Sequence, residues 1–435
     1  IEQNAGSARI MIRRVEIDEN CPTLFGRLSR SAAVRSGLAA VAAFGAGHAR
    51  AQALGGGDEQ RMDIGIGVHG YYDSDSVRGQ NVLNARPDAQ RQDFITEPNI
   101  TADIVAPIGR QSVFLNGSLG YRLYTHNSFL NRENIHVSGG FRVQPLRGCS
   151  ATITGNYVQQ QSELYDIIDG FDPRNVEKIG GAGADISCQS ASGLTPGLSY
   201  RRTRATNSSI IRKANEYVSD NYTASLGYSR PNLGTISLYA SYNDARYPRR
   251  RFFMPGFPAD GTQVYSGGLS YERAIGTRLT GSVSVGYTTV NPRLPGVKDF
   301  KGANWDAALA YDSRNRIRAN LSFSRSVEQS NLLGDSYGVR TGLNLTGEYA
   351  FSDRIRLTAG GAYVRRRSEQ SPLYQLPNFN SRDRTVSVYS KLAVGNVGPV
   401  AIVFEAAREH RKSVVPVYNY GSTRFGVSAT YRFGR

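Results

Sequence analysis

Residues able to run covalent chemistry are scarce and scattered. After residue 60 the chain holds four histidines, His69, His126, His136 and His410. A lipase-type site needs a hydroxyl, an imidazole and a carboxylate within hydrogen-bond reach of one another. His126, Ser128 and Glu133 are near in sequence, but an ordinary polar loop offers as much. No GxSxG elbow and no metal-ligand spacing is present. These patterns predict no enzyme, no metal centre and no cofactor. Arginine is the chemically capable residue that recurs. Its planar fork holds carboxylates and phosphates at two points. The elements that carry the arginines therefore decide what they meet.

Those elements are strands. Stretches of about 10–15 residues with period-two alternation recur from residue 60 to the end. Clear examples are VFLNGSLGYRLY (113–124), TISLYASYN (235–243), LTGSVSVGYTTV (279–290) and FGVSATYRF (425–433). Short connections such as PLRGC (145–149), RPNLG (230–234) and FSDR (351–354) alternate with longer irregular ones such as 74–92, 165–173, 248–262 and 368–381. Tight turns at one end and long loops at the other predict an all-β chain, an up-and-down antiparallel transmembrane β-barrel. The pattern counts to about 18 strands from near Asp63, with 16 as the other possibility because 174–190 and 195–206 alternate weakly. An even number puts both ends of the barrel on the short-turn, periplasmic side.

Alternation assigns the faces. Val113, Leu115, Leu119, Tyr121 and Leu123 share one, and Asn116, Ser118, Arg122 and Tyr124 the other. In hydrocarbon every backbone polar group must be paired, so the apolar face of a closed barrel faces lipid and the polar face lines the lumen. This parity predicts a polar, net-basic lumen lined by Arg122, Arg142, Arg201, Arg318, Arg340, Arg356, Arg424 and Arg432, with Asn116, Asn320, Asn344 and Tyr239. Asp103, Asp306, Glu348 and Glu405 share that face and could neutralise part of it. Cys149 and Cys188 fall at the periplasmic ends of neighbouring strands on the outward parity, which predicts a cross-strand disulfide. Arg249-Arg250-Arg251 and Arg365-Arg366-Arg367 lie in or beside outer loops and predict a basic patch for lipopolysaccharide phosphates or for an acidic polymer at the mouth. No nucleic-acid-binding module surrounds either run.

Composition agrees with this class. The chain has 47 Gly, 25 Tyr and a formal charge of +16, and its mean hydropathy of −0.39 is too polar for a helical membrane protein. Residues 27–53 hold a basic stretch (Arg27, Arg30, Arg35), a short apolar run (Gly37 to Gly47) and small-x-small sites at Ala49-Arg50-Ala51 and Ala51-Gln52-Ala53. That is the layout of a secretory signal peptide. The expected organisation is a removed extension and signal over 1–51, a short periplasmic segment over 52–62 and a barrel over 63–435.

The segments DFITEPNITADIVAP and GYRLYTHNSFLNREN, the even hairpins and the terminal YRF resemble the outer-membrane β-barrel porin families of Gram-negative bacteria, most of all a group often encoded beside exopolysaccharide export genes. Terminal aromatics of this kind resemble the signal read by the barrel-assembly machinery, although Gly434 and Arg435 follow Phe433 here. The resemblance implies passage of a solute or an exported polysaccharide across the outer membrane. With arginines on the wall, the expected cargo is anionic. The competing expectation is a non-transporting adhesin, receptor or structural barrel that acts through loops 74–92 and 248–262.

Overall fold

The computed structural model describes residues 60–162, 174–250, 260–294, 296–328, 335–370, 382–395 and 399–433. Its strands are β1 (Arg61–Asp73), β2 (Asp93–Ile108), β3 (Gln111–Tyr124), β4 (Arg132–Leu146), β5 (Cys149–Gln161), β6 (Val176–Cys188), β7 (Leu194–Asn207), β8 (Tyr217–Arg230) and β9 (Gly234–Tyr247). They continue as β10 (Asp260–Ile275), β11 (Leu279–Pro292), β12 (Phe300–Asp312), β13 (Ile317–Glu328), β14 (Asp335–Ala350), β15 (Ile355–Gln370), β16 (Arg382–Val394), β17 (Val400–Ser413) and β18 (Tyr420–Phe433). All pair antiparallel with their sequence neighbours in one 18-stranded sheet. β1 also pairs with β18, from Ile64 opposite Phe433 to Asp73 opposite Arg424, so the sheet closes on itself.

The weakly alternating segments form β6 and β7 and pair along their whole length, which fixes the count at 18 rather than 16. The first strand begins at Arg61, two positions before the expected Asp63. Their pairing partners compensate for what local propensity lacks, because a closed sheet leaves no strand unsupported.

The burial pattern is that of a soluble protein turned inside out. Leu115, Leu238, Leu269, Leu345 and Phe404 are exposed, whereas Glu97, His69 and Asn99 are each 2% exposed. Apolar side chains cover the outer wall and polar ones fill the closed interior, the arrangement expected where the outer solvent is lipid. Strands of 12 to 16 residues exceed the roughly 9–11 needed to cross the hydrocarbon, so their ends stand clear of it.

The short turns hold glycines in the left-handed region. Gly148 (φ 80°) and Gly234 (φ 88°) are also places where a Cβ would meet backbone, 2.5 Å from the Gln189 carbonyl oxygen and 2.4 Å from that of Glu272. The first long loop is ordered: it contains α1 (Gln80–Ala85), and Val77 and Val82 pack with Leu130 of the β3–β4 connection as a fully buried cluster. This is the one apolar core cluster among the described residues, and it sits at the mouth rather than inside the barrel.

Candidate functional site: the lumen wall and its mouth

Strand register carries all twelve expected lining residues to the inner face, where they share rows with buried or ion-paired polar groups. Their surroundings divide them. Arg122 Nε donates to Glu97 Oε2 at 2.9 Å, and Asn134 Nδ2 donates to Glu97 Oε1 at 2.8 Å. Arg318 lies 3.3 Å from Asp312 and 3.6 Å from Glu348, and Arg356 reaches Glu348 at 3.3 Å. Arg424 is 4.0 Å from Glu409. Arg142 sits over the Phe114 ring. Arg201, Arg340 and Arg432 have no ion-pair partner among the described residues; Arg201 stands opposite Gly183 and Asn221, and Arg432 opposite Gly65. Asn116 stands opposite Asp103, Asn320 opposite Thr346, Asn344 opposite Ser322 and Tyr239 opposite Gly268.

Glu405 was expected on this face, whereas Lys391, Asp383 and Arg411 were not singled out in the sequence. The Glu405 carboxylate sits between His69 Nε2 at 3.0 Å and Lys391 Nζ at 3.2 Å. Asp383, inward on β16, accepts from Arg366 and Arg411, both at 2.8 Å. Period-two reading marks these residues as inward, but only cross-strand register shows that they meet. Strands β8 to β11 present a contrasting wall. Their inward positions are chiefly Ser, Thr, Asn and Gly, with hydroxyl contacts such as Ser266 to Thr288 at 2.8 Å, and Asn243 Nδ2 donating to Ser219 Oγ at 3.0 Å. The lumen thus has a charged sector and a neutral hydroxyl-rich sector.

At the mouth, loop 74–92 is tied down by polar contacts. Asp73 accepts from Arg78 Nη2 at 2.9 Å and from Ser422 Oγ at 2.7 Å, which links the loop to both strands of the β1–β18 closure. Asp75 accepts from the Gly79 N–H at 3.2 Å and from Arg91 Nη1 at 3.0 Å. Burial pushes the Asp75 carboxyl above its ordinary range, against the pull of the Gly79 N–H, Arg91 and Arg78. Asn127 joins the neighbouring loop by donating to Ser76 Oγ and to the Gln90 carbonyl oxygen.

The histidines do not converge. His126 Nδ1 lies 3.3 Å from Asp93, His136 bonds Asn134, and His410 points outward opposite Val386. Glu133 faces outward opposite Tyr121, turned away from the lumen-facing groups. Cys149 and Cys188 are directly opposed in register and joined by a disulfide. The expected basic patch separates. Arg250 is fully buried, bonded to Asp260 at 2.7 Å and to the Ala214 carbonyl oxygen, and Arg366 faces the lumen, so neither belongs to an outer surface. Arg249 pairs with Glu216 at 3.0 Å, Arg365 and Arg367 face outward, and Arg251 lies outside the described residues.

A closed 18-stranded antiparallel barrel with an apolar exterior and a polar interior defines a transmembrane β-barrel of the outer membrane of a Gram-negative bacterium. Residues 256–433 match the family described as "Putative beta-barrel porin 2". No curated protein matches the chain. Among solved structures it is similar to OccK2 (OpdF) of Pseudomonas aeruginosa, crystallised with glucuronate, at 11% identity over 87% of this chain and 99% of that one, with a TM-score of 0.44. It is also similar to a BenF-like porin from Pseudomonas fluorescens Pf-5 (11%, 87% and 100%, TM-score 0.44) and to OccAB3 of Acinetobacter baumannii (11%, 86% and 100%, TM-score 0.41).

Proposed function

We propose that the lumen passes hydrophilic solutes and favours anions, either small anionic solutes or a segment of an exported acidic polysaccharide. The observation that carries this reading is that three of the expected lining arginines, Arg201, Arg340 and Arg432, have no ion-pair partner among the described residues, although Arg340 lies in the field of the Glu328 carboxylate. Most other inward cations are held by carboxylates, so they solvate the wall without attracting cargo. An unpaired guanidinium on a lumen wall lowers the energy of a passing anion and offers a two-point grip on a carboxylate or phosphate. The hydroxyl-rich wall of β8 to β11 supports the polysaccharide form of the reading, because it offers hydrogen bonds without competing charge.

The same reading has the chain exported by the signal-like segment 27–53, with residues 52–62 as a short periplasmic lead. The outward aromatics Phe425, Tyr431 and Phe433 of β18 then serve as the mark read by the barrel-assembly machinery.

The test is single-channel recording of the refolded protein in a planar bilayer across a KCl gradient. The expected result is a steady conductance with a reversal potential on the chloride side, which moves toward zero in Arg201→Gln/Arg340→Gln/Arg432→Gln. A cation-selective wild-type channel would sink the anion reading. A folded barrel without conductance would favour a surface barrel that acts through its loops.

A further inference from the structure

The outward face of the barrel is not charged alike around its circumference. On β7 to β11, near the extracellular ends, outward cations and carboxylates are linked in a chain of ion pairs. Arg202 is 3.4 Å from Asp220, Arg246 contacts Asp220 and lies 3.5 Å from Asp244, and Arg293 is 2.6 Å from Asp244. A row of tyrosines, Tyr200, Tyr222, Tyr242 and Tyr265, runs just below, with successive ring centroids 4.9, 6.3 and 4.9 Å apart. Arg204, also outward here, has no ion-pair partner among the described residues, but otherwise this sector is supplied with internal counterions.

The sector across β13 to β17 is not. Arg325 stands opposite Thr341, Thr341 opposite Arg365, Arg365 opposite Arg384, and Arg384 opposite Lys412. Four cations thus lie in one cross-strand row on the outer wall. Three of them are immediate neighbours, which is a destabilising arrangement on its own. None of the four has an ion-pair partner among the described residues; Arg325 lies over the Trp305 ring at 5.1 Å. The outward carboxylate among the described residues of these strands is Glu369, four positions beyond Arg365. The next row toward the periplasm is apolar on β13 to β16, Phe323, Leu343, Tyr363 and Val386, all exposed, and ends at the exposed His410 on β17.

The height of the row is set by strand geometry. Arg365 is ten residues beyond Ile355, about 34 Å along the strand, or about 26 Å vertically at a tilt near 40°, which matches an apolar band about 25 Å tall. The cations therefore sit where hydrocarbon gives way to the headgroups of the outer leaflet. A like-charged row at that level, without internal counterions, requires negative charge from its surroundings.

We propose that the row Arg325–Arg365–Arg384–Lys412 is a docking site for the phosphate groups of outer-leaflet lipopolysaccharide, whose acyl chains lie on the apolar row beneath. This rests on the outer-membrane placement of the barrel and is separate from anything the lumen conducts. It predicts that lipid is held on one sector of the wall and not uniformly around it.

The test is native mass spectrometry of the refolded protein in detergent with purified bisphosphorylated lipid A, and with the same glycolipid after phosphatase treatment. Wild type is expected to retain the phosphorylated form, and Arg365→Gln/Arg384→Gln/Lys412→Gln to lose it by at least about tenfold, as the removal of several charge-assisted contacts implies. Arg249→Gln, outside the row, is the control and should retain lipid like wild type. Equal retention by the triple variant, or equal retention of the dephosphorylated glycolipid, would overturn the proposal. Heat-modifiable gel mobility is read on each sample. A chain that forms no heat-modifiable barrel in detergent or lipid refutes the membrane placement, whereas a folded barrel with indiscriminate retention refutes only the docking row.

Discussion

Glu97 shows what a charge inside the wall requires. Its carboxylate is buried and satisfied by Arg122 and Asn134. Arg122→Ala leaves that carboxylate without its cation, and the expected loss is about 2–3 kcal/mol, below the range for a fully buried pair because Arg122 keeps some solvent contact. The check is a fall in the temperature at which the folded gel band disappears; an unchanged midpoint would mean that water or Asn134 compensates. Parity alone was enough to read which face each arginine occupies. It was not enough to read which arginines are free, because that depends on partners such as Glu348 and Asp383 on the adjacent strand, between eight and thirty residues away in the chain. Arg250 illustrates the same limit: three consecutive arginines look like a surface run, yet the middle one is buried against Asp260.

The alternation and turn pattern made the strands legible, and closure supplied the support that β6 and β7 lack in their own sequences. Loop 74–92 was legible only as long and polar. Its helix QNVLNA is six residues with no side-chain cap and forms because Val77 and Val82 find Leu130 on a different loop. Leu130→Ala should open this cluster at a cost of about 2–5 kcal/mol, spent locally. Limited proteolysis should then cut within 74–92 while the barrel stays intact, and an uncut loop would contradict the packing account. The closing seam has its own sensitivity. A Cβ on Gly67 would stand 2.5 Å from the Ala429 carbonyl oxygen and 2.7 Å from Thr430 Oγ1. Gly67→Val is therefore expected to hinder the pairing of β1 with β18, seen as loss of the heat-modifiable form after refolding.

Across the whole molecule, charge is sorted by face and by sector. Inside, most cations are paired; outside, one sector shares carboxylates among most of its cations and the other leaves a row of cations uncovered. The sequence shows the excess of arginine but not this sorting, since Arg325, Arg365, Arg384 and Lys412 sit on four strands and become neighbours only through register. The disulfide has a consequence for the chain as a covalent object. Cys149 and Cys188 tie the periplasmic ends of β5 and β6, whose other ends are joined through residues 162–175 of the chain. That hairpin is thus a covalent ring. A single cut by an external protease between β5 and β6 would open the ring without dividing the polypeptide. The nicked protein should migrate as one full-length species after boiling without reductant and as two fragments once the bond is reduced.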